Sequence, residues 1–171
     1  TLLLSEKGKI YFHTISRDRQ SLKICVADIN TGEVQVLIED ITNTYFYETK
    51  SVYLIKNETQ MIHWSERDGW GHYYRYDING NLINRITKGS YHSDNINYID
   101  EKTNTMYFTA HGVDNSIDPY YEHTYKVSLT GGAPRVLNPG NFNTSTRPSD
   151  NFKYFVNNYS RVNTTPKSEL R

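Results

Sequence analysis

The chain has 171 residues and a mass of 20.0 kDa, the size of one ordinary domain, and its 19 Lys and Arg balance 19 Asp and Glu. A neutral chain offers no electrostatic footprint for a phosphate backbone or an anionic leaflet, so nucleic acid and charged membrane surfaces are set aside as partners. Apolar runs such as Leu2-Leu3-Leu4 are far shorter than the ~20 residues of a spanning helix, so no membrane span is expected.

Fifteen Tyr, six Phe and two Trp give a composition that favours strands over helices. In chain order, the first strand signal is Ile10-Tyr11-Phe12. The second is the apolar stretch from Leu22 to Ala27, which continues through Asp28-Ile29 into the turn Asn30-Thr31-Gly32. Cys25 lies within that stretch without a charged or histidine neighbour, so it reads as a structural thiol. Val34 to Ile38 follows, and both stretches are apolar on both faces, as expected of strands held between two neighbouring sheets. The pattern then returns: Met61-Ile62-His63, Tyr76-Asp77-Ile78 before Asn79-Gly80, and Leu82 to Thr87. It returns again with Met106-Tyr107-Phe108, Val127-Ser128-Leu129 before Thr130-Gly131-Gly132, and Arg135 to Leu137. Alternation within Thr124 to Leu129 places Tyr125, Val127 and Leu129 on one buried face. Lys153-Tyr154-Phe155 opens a fourth round.

The first landmarks of these rounds start 51, 45 and 47 residues apart, and the strands entering the glycine turns start 49 and 51 apart. A period of about 40–50 residues with about four strands each is the signature of a β-propeller, whose blades bury their faces against one another. The expected fold is therefore all-β, a partial β-propeller of about 3.5 four-stranded antiparallel blades. The approximate blade bounds are 1–40, 41–89, 90–140 and 141–171 within one domain. Closed propellers have about four to eight blades, so the missing ones are expected in the rest of the natural chain or in a partner copy. A start at Thr1 without Met is read in the same sense, with the natural N-terminus and any signal peptide outside this sequence. A compact β-sandwich with accidental spacing is the alternative.

Catalytic motifs are absent. The ten glycines contain no G-x-S-x-G, there is no G-K-S or G-K-T, and no G-x-G-x-x-G opens a helix, which excludes a nucleophile elbow and a phosphate-binding loop. His13, His63, His72, His92, His111 and His123 form no H-E-x-x-H and have no cysteine pair to help them, so no metal and no cofactor is expected. Glu66, Asp68, Asp114, Asp118 and Glu122 could in principle supply a glycosidase pair, but they sit among turn residues, where such side chains usually cap turns. Sequons at Asn57, Asn143, Asn158 and Asn163 decide nothing.

The most distinctive stretch runs Trp64-Ser65-Glu66-Arg67-Asp68-Gly69-Trp70-Gly71-His72-Tyr73-Tyr74-Arg75-Tyr76-Asp77, then Asn79-Gly80 and Ile86-Thr87-Lys88-Gly89. Asp68-Gly69 is expected to turn the chain, two Trp to cover the blade, and the next strand to return with stacked tyrosines. This block resembles the N-terminal propeller of the dipeptidyl peptidase IV type, including prolyl tripeptidyl peptidases, within the prolyl oligopeptidase family. Asp118 to Leu129 looks like the family's strand entering its glycine turn. Lys153 to Val162 with Thr165-Pro166 is similar to its closing blade, which puts Arg171 at the border of the next domain.

The resemblance implies a secreted or periplasmic serine exopeptidase. An eight-bladed propeller would cover a C-terminal α/β-hydrolase domain that carries the Ser-Asp-His triad. This chain then holds no catalytic residue. Its implied partners are a peptide substrate and the hydrolase domain of the same parent, and a homodimeric parent is left open. The family's paired glutamates for the substrate amine have no Glu-Glu counterpart here; they are expected upstream of Thr1, or else the parent cleaves differently. Counting back without gaps from the Ser65-Glu66-Arg67 block puts Phe46 where the family offers a phenylalanine to the substrate, flanked by Tyr45 and Tyr47. An aromatic wall suits a pocket that accepts varied side chains. The other reading makes Tyr45-Phe46-Tyr47 the innermost strand of a blade. The competing function is a stand-alone propeller that binds a glycan or a protein.

Overall fold

A computed structural model describes residues 2–47 and 49–171. All regular structure among the described residues is antiparallel β, arranged as four sheets. The chain divides into two compact units, Thr1–Gly69 with Tyr73–Asn84, and Trp70–His72 with Arg85–Arg171.

In the first unit, β1 (Leu2–Leu4), β2 (Lys9–Ile15), β3 (Ser21–Asp28) and β4 (Val34–Ile41) form a meander whose spatial order is their chain order. A second meander of the same order follows: β5 (Tyr53–Ile55), β6 (Gln60–Ser65), β7 (His72–Asp77) and β8 (Leu82–Arg85). Tyr11, Ile24, Val26 and Ile38 of the first sheet pack against Val52, Met61, Tyr74 and Tyr76 of the second segment. Full burial of each such side chain contributes about 1.5–3 kcal/mol relative to leaving it exposed. Asp77 caps the turn after β7, its carboxylate accepting from the backbone N–H of Asn79 and Asn81, each at 2.9 Å. Gly80 in that turn has φ +88°, and a Cβ there would lie 2.1 Å from the Leu37 carbonyl oxygen. Only glycine lets this turn rest against β4.

The second unit contains β9 (His92–Asp100), β10 (Thr105–His111), β11 (Glu122–Ser128) and β12 (Arg135–Val136), again a meander. It also contains a three-stranded sheet of β13 (Asn143–Pro148), β14 (Phe155–Arg161) and β15 (Thr164–Leu170). Buried Asn138 joins these two sheets. Its side-chain oxygen accepts from Thr124 N–H at 2.8 Å, and its amide donates to Thr144 Oγ1 at 2.8 Å and Asn157 Oδ1 at 2.9 Å. Phe152 adds an apolar joint, its ring 4.4 Å from that of Tyr107.

A further repeat emerges from the side chains. His72 shares a 3.0 Å hydrogen bond with the Gly89 carbonyl, and His123 shares one of 2.9 Å with that of Gly140. Both members of these pairs are displaced by 51 residues, so a histidine at the start of a third strand latches the segment after the fourth.

Several sequence expectations hold. Tyr125, Val127 and Leu129 are buried together, and Leu22, Ile24, Cys25 and Val26 are buried on both faces of β3. Others need correction. Val34 and Val36 are exposed because β4 ends its sheet. Trp70 is also exposed, so it does not cover a blade as Trp64 does. The landmark strand of the fourth round starts later than Lys153, since β14 begins at Phe155 and Lys153 and Tyr154 lie in a bend before it.

Candidate functional site

A cleft of about 570 Å³ in the first unit is lined by the segment from Asp40 to Phe46 and by Glu66, Arg67 and Gly69. Two local features build it. On one side the chain leaves β4 at Ile41 and runs irregularly, held by Arg19, whose backbone carbonyl accepts from Phe46 N–H at 2.7 Å. The Arg19 guanidinium also donates to the carbonyls of Phe46 at 2.7 Å and Tyr47 at 3.1 Å. On the other side β6 ends at Ser65, and a turn closed by Gly69 N–H to the Glu66 carbonyl at 2.8 Å reverses the chain.

Tyr45, Phe46 and Tyr47 lie in no strand, so the innermost-strand reading does not describe them. Phe46 is only 5% exposed, whereas Tyr45 and Tyr47 are 59% and 83% exposed. Tyr45 and Phe46 line the cleft and Tyr47 does not. Phe46 therefore anchors the loop from beneath while Tyr45 presents its ring at the rim.

Beneath the cleft sits a polar hub that sequence reasoning did not single out. Asp40 is 5% exposed and shares its carboxylate between the Arg67 guanidinium and His63 Nε2, the latter at 3.2 Å. Burial alone would raise the Asp40 pKa. Hydrogen bonds from His63 and Ser65 and the charges of His63 and Arg67 outweigh it, so the carboxyl is held below its usual range. Arg67 Nε donates to Ser65 Oγ at 3.1 Å, and its guanidinium lies 4.7 Å from the centre of the Tyr74 ring and 5.8 Å from that of Tyr76. Burial pushes the Tyr76 phenol up to about 12, the Arg67 charge opposing this and the Asp40 charge assisting it. The only sequence signal for the hub was a histidine and an arginine flanking an otherwise apolar strand end. Their acidic partner is 23 and 27 residues away along the chain.

The other acidic candidates serve turns or single contacts. Asp114 accepts from Ser116 N–H and Asp118 from Tyr120 N–H, each at 2.9 Å, and Asp68 accepts from the Tyr74 hydroxyl. Among the described residues no group of three or more His, Cys, Asp or Glu is arranged to hold a metal ion. Among the described residues no helix is long and apolar enough to cross a membrane.

Repeated antiparallel meanders, each buried against the next within its unit, define part of a β-propeller with a polar-walled cleft on one of its sheets. The sequence profile of the dipeptidyl peptidase IV N-terminal region matches residues 3–166, and the chain belongs to that family. The fold is similar to that of a Bacteroides ovatus protein assigned as a dipeptidyl aminopeptidase IV, with a TM-score of 0.83 and 20% identity. That match covers 99% of this chain and 27% of the other. A second similar structure is Porphyromonas gingivalis dipeptidyl peptidase 4, with a TM-score of 0.78 and 18% identity over 95% of this chain and 22% of that one. The chain thus spans about a quarter of the length of these solved structures.

Proposed function

We propose that this chain is the substrate-positioning and gating part of the propeller in a serine exopeptidase of the dipeptidyl peptidase IV type. Its parent would be secreted or periplasmic and would carry the catalytic triad on an α/β-hydrolase domain. The propeller admits peptides and single chain ends, excludes folded proteins by size, and contributes one wall of the substrate pocket. The observation that carries the reading is the cleft. It is lined by the loop that bears Tyr45 and Phe46, at the place where the family resemblance puts a substrate-facing aromatic. Exposed Tyr45 supplies apolar area and ring edges to a bound peptide, with Phe46 fixing the loop below it.

The test is kinetic and uses the full-length parent. Tyr45→Ala should raise KM for short peptide amides about threefold to tenfold with kcat nearly unchanged, since it removes ground-state contact distant from the bond broken. Phe46→Leu, which keeps the core filled, should raise KM by less. Unchanged kinetics in both variants would reject the pocket role.

A further inference from the structure

Arg67 and Glu66, adjacent in sequence, put two different chemistries on the rim of the cleft. The Arg67 side chain is 29% exposed, with Nη2 committed to Asp40 and Nε to Ser65. Those bonds use two of its five N–H groups; the Tyr76 hydroxyl lies beside the guanidinium as a further acceptor, and the rest remain for a ligand on a partly exposed side chain. The Asp40 carboxylate already offsets the guanidinium charge, so a second carboxylate gains little net attraction there. Glu66 lines the same cleft, is exposed, and its carboxylate has no partner among the described residues. The charge left over at the rim is therefore negative.

We infer that the cleft recognises an uncharged main-chain carbonyl of an extended peptide through the Arg67 guanidinium, and that Glu66 disfavours peptides with a carboxylate at that point. This rests on the peptide-binding reading above and specifies which peptides it takes: those neutral or basic where they cross the rim. The polar wall suits such a ligand. Thr42 and Thr44, their hydroxyls 3.1 Å apart, and Asn43 offer further donors and acceptors, and the Tyr45 ring covers the adjacent side chain. Stacking on Tyr74 and bonds to Asp40 and Ser65 hold the guanidinium in place before the peptide arrives, so little side-chain freedom is lost on binding.

The experiment measures hydrolysis of chromogenic peptide amides by the full-length parent, using pairs that differ only by Asn against Asp at each successive position. The wild type should show a KM several-fold higher for the Asp member at one position and little difference elsewhere. Glu66→Gln should bring that ratio towards one. Arg67→Lys keeps a cation for Asp40 but loses the fork, and should raise KM about fivefold for both members of the pair, the loss of one hydrogen bond. Thermal melting of each variant separates this from a folding defect, and Glu66→Gln carries the test alone if Arg67→Lys melts early. A parent that cleaves Asn and Asp peptides equally at every position, with Glu66→Gln silent, overturns the inference and leaves the peptidase reading intact. A parent that cleaves no peptide amide overturns both.

Discussion

Asp40 shows how a single residue can set both stability and the shape of a site. Its carboxylate is nearly inaccessible and bonded to two basic side chains, so Asp40→Asn should destabilise the folded state by about 1.5–3 kcal/mol at neutral pH, the range for a hydrogen bond to a charged group. The pH dependence follows from the lowered pKa. A carboxyl whose folded-state pKa lies below its unfolded value contributes stability that is fully present above the unfolded pKa, near 3.8, and is lost as pH falls through the folded pKa. Denaturant melts should therefore show wild type and Asp40→Asn well separated at pH 7 and converging in strong acid. A constant gap across that range would mean that Asp40 acts through packing rather than charge. None of this was legible in the sequence, because Asp40 meets His63 and Arg67 only across the fold. Phe46 and its neighbours came to attention through the family resemblance alone. Which of the three aromatics faces the cleft depends on Arg19 clamping the loop, a contact made 27 residues away.

Turn chemistry made the third strand of each meander readable, since an Asp or Ser followed by Asn or Thr and Gly has one favoured way to reverse the chain. The first strands β1, β5 and β9 were not recognised. β1 and β5 have three residues each, and β9 alternates polar with apolar residues weakly and carries two register shifts against β10. Val34 and Val36 misled for another reason: composition alone does not tell an edge strand from a central one. The glycine turns allow a test at this scale. Gly32→Ala meets no atom within 4 Å and should cost only the strain of a left-handed backbone, about 1–2 kcal/mol. Gly80→Ala puts a methyl group into the Leu37 carbonyl as well and should cost more than about 4 kcal/mol, enough to prevent folding of a marginal domain. Thermal or chemical melts that rank the two variants equally would contradict the close approach of this turn to β4. In the second unit Asn138→Ala should lower the melting temperature by several degrees, because it leaves the buried Thr124 N–H and the side-chain oxygen Oδ1 of Asn157 without their Asn138 partner.

For the whole molecule, the period of about 48 residues was enough to predict a propeller and to predict that only part of one is present. Four sheets, three of four strands and one of three, agree with that count. The chain spans about a quarter of the length of the solved structures it resembles. Composition and spacing excluded the common catalytic motifs but could not supply an activity, because the gating and positioning proposed above would leave no motif of their own. The Ser65 to Trp70 block was informative only as a family signature, and its physical content, the turn that places Arg67 over Asp40, became visible in three dimensions. The most direct measurement assays the full-length parent beside this chain alone for release of a chromophore from Gly-Pro and Ala-Ala-Pro amides. The account predicts cleavage by the parent and none by the chain, and the preferred amide then assigns dipeptidyl or tripeptidyl release. Silence from the parent on both amides would contradict it and would favour a propeller that binds a glycan or a protein partner.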